Sequence, residues 1–165
     1  MSPPRQAALN RLAMFLAASQ PTYPLYVWYL AGGDWWVSFG TSLSCVPFAL
    51  VPALARRSSD AGLWAVPLIG AANTVLGVGL FGLASGVAWL LVPCALIVAM
   101  SGVRNGVAWG LVLLAGAAAL AALVPGPVGR FSPAGLAALA RLNFGSAALL
   151  CPIIWLLLRP ARQPA

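Results

Sequence analysis

The chain contains no histidine, no lysine and no glutamate. Asp34 and Asp60 are its two acidic residues, and all nine of its basic residues are arginines. Histidine-ligated haem and Ser–His proteolysis are excluded because both need an imidazole. Metal-dependent phosphoryl transfer needs a cluster of carboxylates, and proton-coupled transporters usually keep an acid or a histidine within the membrane. The composition therefore predicts a protein that is not an enzyme and that holds no cofactor.

Charge is scarce because most of the chain is apolar. Charged residues make up 7% of the sequence and hydrophobic residues 62%, whereas soluble domains carry about a quarter of charged residues. A bilayer crossing takes roughly 17–25 apolar residues in a helix. Six segments fit, at residues 12–31, 35–55, 63–83, 87–103, 106–124 and 139–158. The sequence thus predicts an all-α polytopic membrane protein, a single domain over residues 1–165 with six transmembrane helices.

The arginines lie at the ends of these segments and predict the orientation by the positive-inside rule. With a cytoplasmic N-terminus, the cytoplasmic arginines are Arg5, Arg11, Arg56, Arg57, Arg104, Arg159 and Arg162. Arg130 and Arg141 then lie outside. An even number of spans places both termini in the cytoplasm, and the expected location is the bacterial inner membrane. Because the arginines form no patch or stripe, we expect no nucleic-acid partner.

The first segment is interrupted by the run Gln20-Pro21-Thr22-Tyr23-Pro24, which combines two prolines with three polar side chains. Each proline leaves the carbonyl four residues earlier without its helical partner. Such a carbonyl is satisfied by neighbouring helices, or the broken helix lines a cavity. Both interpretations remain open at this point.

Further uncharged polar side chains lie within the third and sixth segments. Asn73 and Thr74 fall in the middle of the third, and Asn143 lies in the sixth beside Arg141. Buried amides need partners, so they are expected to face the bundle interior, either joining helices or lining a pocket. Arg141 either snorkels outward or holds an anionic group. The candidate ligand-binding residues are Gln20, Thr22, Tyr23, Asn73, Thr74, Arg141 and Asn143.

The cysteines and glycines of the chain are typical of residues that pack helices against one another. Cys45, Cys94 and Cys151 are odd in number and lie inside spans, so we predict neither a disulfide framework nor a metal site. Gly106 and Gly110 form a GxxxG pair, which allows close helix contact within the chain or in a homodimer.

Three stretches, residues 69–77, 81–95 and 140–148, resemble the six-span membrane module that precedes bacterial class III adenylate cyclases and some diguanylate cyclases and histidine kinases. This resemblance implies a receptor-like module that senses a lipophilic or membrane-borne cue and dimerises. Such modules continue into a cytoplasmic catalytic domain, whereas this chain ends at Ala165, just after its sixth segment. The expectation is a standalone sensor in the lipid bilayer that binds a lipophilic small molecule and acts through a homodimer or a separate signalling partner.

Two alternatives come from other classes of protein. One is a small transporter or channel for a neutral or lipophilic solute, which needs a continuous polar path across the bundle. The other is an accessory subunit of a membrane complex.

Overall fold

The computed structural model describes residues 3–159 and is 85% helical, with no strand in that range. The helices are α1 (Pro3–Ser19), α2 (Tyr23–Ala31), α3 (Phe39–Ser42), α4 (Cys45–Arg57), α5 (Ser59–Phe81), α6 (Leu91–Met100), α7 (Gly106–Leu123) and α8 (Pro133–Leu158). Short 3₁₀ helices occupy Gln20–Thr22, Trp35–Ser38, Leu83–Ser85 and Val87–Leu90. The all-α prediction is confirmed for these residues, and Arg162 lies outside them.

Four helical segments of the described chain are long and apolar enough to cross a membrane, which indicates a membrane protein. They are Trp35–Arg57, Ser59–Phe81, Gly106–Leu123 and Pro133–Leu158. These coincide with the second, third, fifth and sixth predicted segments. The fourth is a shorter apolar helix, Val87–Met100, and the first divides into α1 and α2.

The break between α1 and α2 follows from proline chemistry. Pro24 has no N–H, so the carbonyl of Gln20 cannot accept the usual helical hydrogen bond. That carbonyl accepts instead from the backbone N–H of Tyr23 and, at 3.0 Å, from the hydroxyl of Ser42 on α3. This carbonyl is therefore satisfied within the protein, which is what a bilayer requires of non-helical backbone.

The GxxxG pair is used inside the chain. A Cβ built on Gly110 would lie 2.6 Å from the carbonyl oxygen of Ala95, and one on Gly106 would lie 2.9 Å from that of Val98. The two glycines thus let α7 approach the backbone of α6 closely. This face of α7 is occupied by α6 and is not free for a second copy of the chain.

Two apolar clusters hold the bundle at its opposite ends. The terminal cluster joins α1, α4, α5, α6 and α8, with Leu9, Phe48 and Leu158 almost fully buried in it. The loop cluster contains Val27, Val37, Phe81 and Leu139. Leu139 and Leu158 are roughly 28 Å apart along α8 at the usual rise of an α-helix. The middle of the bundle, between the two clusters, is therefore packed by other side chains.

Candidate ligand-binding cleft

A cleft of about 590 Å³ separates α8 from the first helical segment in the middle of the bundle. One wall is formed by the end of α1, the 3₁₀ turn Gln20–Thr22 and the start of α2. The residues of α8 that form the other wall are Leu142, Asn143, Ser146, Leu149, Leu150 and Ile153. Leu90 also lines the cleft. This lateral cleft combines apolar walls with a small number of hydroxyl and amide groups.

The lateral cleft opens sideways from the bundle. Its lining residues Phe15, Tyr26 and Leu149 are 57%, 52% and 68% exposed, respectively. Towards the two ends of the bundle it is bounded by the terminal cluster, which includes Ile154, and by the loop cluster, against which Tyr23 packs. In a bilayer, the open side of the cleft would face hydrocarbon.

Asn143 is the polar residue that fixes the walls. Its side chain is 1% exposed. Its Nδ2 donates to the carbonyl of Ser85 at 2.9 Å, and the hydroxyl of Tyr23 donates to its Oδ1 at 3.1 Å. One amide therefore joins α8 to α2 and to the turn that follows α5. The amide thus links separate helical segments by hydrogen bonds, and it also lines the cleft.

A second, smaller cavity of about 80 Å³ adjoins the lateral cleft. Gln20, Leu16, Leu90 and Leu150 line both spaces and form the wall between them. Among the polar residues of this inner cavity are Asn73 and Thr74 of α5. The hydroxyl of Thr74 donates to the carbonyl of Gly70 at 2.8 Å, so it is committed to its own helix.

The structure places six of the seven candidate residues at these adjoining spaces. Gln20, Thr22, Tyr23 and Asn143 line the lateral cleft, and Gln20, Asn73 and Thr74 line the inner cavity. Thr22 is exposed and donates to the carbonyl of Ser19 at 2.7 Å. The seventh, Arg141, is exposed on α8 and lines neither space.

Sequence reasoning missed Ser19 and Ser146, both of which line the lateral cleft. Their hydroxyls donate to carbonyls of their own helices, Leu16 at 3.0 Å and Leu142 at 2.8 Å. Ser146 follows Asn143 by one helical turn, so helical spacing from Asn143 is a signal that could have found it.

The chemistry available in both spaces is limited to neutral hydrogen bonding and apolar contact. No charged side chain is among the described residues that line them. In residues 3–159 no group of three or more histidine, cysteine or acidic residues could hold a metal ion. Cys94 borders the inner cavity as a free thiol. The arrangement can bind and orient an uncharged ligand.

The fold defines a helical membrane protein, and the lateral cleft is its candidate binding site. Comparison of the chain with protein-family models, curated proteins and solved structures finds no match.

Proposed function

We propose that the chain is a non-enzymatic, six-span protein of the bacterial inner membrane that binds a lipophilic ligand in the lateral cleft and acts as a standalone sensor. The observation that carries the proposal is the cleft itself, which opens towards lipid and is lined by polar residues at its inner wall. Its volume of about 590 Å³ lies within the range of roughly 300–1,000 Å³ that is usual for small-molecule sites. The resemblance to cyclase membrane modules supports a role in signal transduction.

Six crossings require α1–α2 and the Val87–Met100 segment to span as well. The first runs from Pro3 to Ala31 with a satisfied break at Gln20–Thr22, so it is long enough. The 3₁₀ helix Val87–Leu90 and α6 together rise roughly 23 Å, at 2.0 and 1.5 Å per residue. Local thinning of the bilayer accommodates such a short segment at modest cost.

The proposed topology, with both termini in the cytoplasm, is tested by labelling single cysteines. Cys45, Cys94 and Cys151 are first replaced by alanine, and then Ser59→Cys or Val128→Cys is added. Both sites are exposed: Ser59 is the first residue of α5, and Val128 lies between α7 and α8. A membrane-impermeant maleimide should label position 128 in spheroplasts, and position 59 only after the membrane is permeabilised. Labelling of position 59 in intact spheroplasts would contradict this orientation.

A sensor suits the shape of the binding site better than a channel does. The terminal cluster, with Leu9, Phe48 and Leu158 almost fully buried, closes the bundle below the inner cavity. This apolar cluster stands in the way of the continuous polar path across the bundle that a channel needs. The ligand therefore binds from the side, and the bound state is passed to a separate signalling partner or to a second copy of the chain.

Filling the lateral cleft tests the binding function directly. Ser146→Trp places an indole in the cleft, whereas Ala148→Trp places the same group on an exposed part of α8 that lines neither cavity. A lipophilic diazirine probe should label the cleft walls in the unmodified chain and in Ala148→Trp. In Ser146→Trp the labelling should fall by about tenfold, which corresponds to a loss of about 1.4 kcal/mol in binding free energy, because the indole occupies space that the probe needs.

The readout is the labelled peptide identified by mass spectrometry in native membranes. Equal labelling of the cleft peptides in both tryptophan variants would show that the probe reports the lipid-facing surface alone. That result would end the proposal of a ligand site.

A further inference from the structure

Asn73 carries a buried acceptor that the described protein does not satisfy. Its Oδ1 is shielded from solvent and has no hydrogen-bond partner. An amide oxygen buried in this way loses its interaction with water without a replacement, so such atoms normally have a partner. Asn73 lies within α5, away from any helix end, where a side-chain donor would have to come from a neighbouring helix. No described side chain, including that of Gln20 in the same cavity, donates to this oxygen in this conformation, so the acceptor is open to a donor that enters the cavity.

The inner cavity has room for such a donor. Its volume is about 80 Å³, whereas a single water needs roughly 10–15 Å³ on the same measure. Gln20 forms part of the wall between this cavity and the lateral cleft. Displacement of the Gln20 side chain, which lines both spaces, would let a molecule in the cleft direct its polar end towards Asn73 while its apolar part remains between α1 and α8.

The lining restricts the charge of that polar end. No arginine or aspartate is among the described residues that line the two spaces. Arg141, the cation nearest to Asn143 in sequence, is exposed on α8 and lines neither space. A carboxylate or an ammonium group at this depth would be a charge without a counter-ion, which is costly within a membrane. A hydroxyl supplies the donor that Asn73 lacks and carries no charge.

We infer that the ligand is a neutral, single-chain lipophile whose polar end is a hydroxyl, and that this hydroxyl donates a hydrogen bond to Oδ1 of Asn73. The inference rests on the proposed binding function of the lateral cleft and specifies the class of ligand. The apolar chain lies in the cleft and leaves it between Phe15 and Leu149, where the site opens to lipid. Asn73 is the residue that distinguishes an alcohol from an acid of the same length.

Competition among three ligands of equal chain length tests the inference. The purified full-length chain in lipid nanodiscs is labelled with a diazirine-bearing alkane, and hexadecanol, hexadecanoate or hexadecane is added as the competitor. Hexadecanol should compete at a concentration about threefold to tenfold lower than the other two, because it alone supplies an uncharged donor for one net hydrogen bond. In Asn73→Leu this advantage should disappear. The variant should remain folded, since the oxygen that it removes has no partner in the protein.

Gln6→Leu is the matched control. Oε1 of Gln6 is the other buried side-chain acceptor without a partner in the described chain, and it lies outside both cavities. This variant should retain the advantage of hexadecanol in full. Loss of the advantage in Gln6→Leu as well would indicate a general effect on the fold and would overturn the role of Asn73.

Two kinds of failure are distinguishable. If the three competitors act alike in the unmodified chain, or if hexadecanol keeps its advantage in Asn73→Leu, then the partner of Asn73 is water alone and the inference is wrong. The binding function still stands in that case, provided that Ser146→Trp blocks labelling. If Ser146→Trp does not block labelling, both the proposed function and the inference fall.

Discussion

Replacing Gly110 with leucine is expected to prevent the chain from accumulating in its folded form. A Cβ at position 110 would lie 2.6 Å from the carbonyl oxygen of Ala95, a backbone atom that cannot move without shifting α6. Overpacking usually costs roughly 1–3 kcal/mol, and a clash with backbone belongs at or above the upper end of that range. Because α6 also contacts α5 and α8, the displacement would disturb the centre of the bundle.

Gly116→Leu provides the control on the same helix. No atom lies within 4 Å of a Cβ built at Gly116, so leucine there meets open space. Leucine also has a higher helix propensity than glycine, by roughly 0.5–1 kcal/mol. Fluorescence-detected size-exclusion chromatography after heating should show a normal or raised midpoint for Gly116→Leu and little folded protein for Gly110→Leu. Equal midpoints in the two variants would refute the intramolecular use of the GxxxG pair.

The second large effect is expected at Asn143. Asn143→Leu removes both hydrogen bonds of the amide and leaves the hydroxyl of Tyr23 and the carbonyl of Ser85 without these partners. Orphaned polar groups cost about 1–3 kcal/mol in proteins, and interhelical hydrogen bonds in membranes average roughly 0.6 kcal/mol. A loss of about 1–3 kcal/mol in stability is therefore expected, with a loosened wall of the lateral cleft.

Tyr23→Phe separates the two hydrogen bonds of Asn143. It removes the hydroxyl but keeps the ring, which packs edge-on against Phe81 at a centroid distance of 5.9 Å. The bond from Asn143 to Ser85 is retained, so the loss should be the smaller one, about 0.5–1 kcal/mol. Unfolding in mixed micelles measures both variants. A Tyr23→Phe variant as unstable as Asn143→Leu would show that the contact with Ser85 contributes nothing.

Much of the fold was predictable because apolar length is a direct signal. The fifth predicted segment, 106–124, corresponds to α7 at Gly106–Leu123. The first segment shows where such reasoning stops. Its prolines indicated a break, but the 3₁₀ turn and the hydroxyl of Ser42 that completes it depend on a helix elsewhere in the chain. A hydrogen bond between distant segments leaves no pattern in a single sequence.

Uncharged polar side chains in apolar helices are expected to face the interior of the helix bundle, and this expectation predicted most of the candidate residues. That reasoning found Tyr23 and Asn143, which contact each other, without indicating that they do. It placed Arg141 in the same set as a charge near the membrane interface that either snorkels outward or holds an anionic group, and the structure exposes Arg141 on α8 away from both spaces. Depth in the membrane does not tell which face of a helix a side chain occupies.

The sequence by itself determined that the chain belongs in a membrane and that it is all-α. Composition alone is sufficient for these, because a chain without histidine, lysine or glutamate and with long apolar runs has few alternatives. Only the tertiary structure decided which face of each helix points inward. Lipid is as apolar as the side chains of α7, so the pattern of hydrophobicity does not distinguish lipid-facing from buried surface. The close backbone contact at Gly110 and the buried, doubly bonded amide of Asn143 fix which faces point inward, and the lateral cleft remains between α8 and the first helical segment.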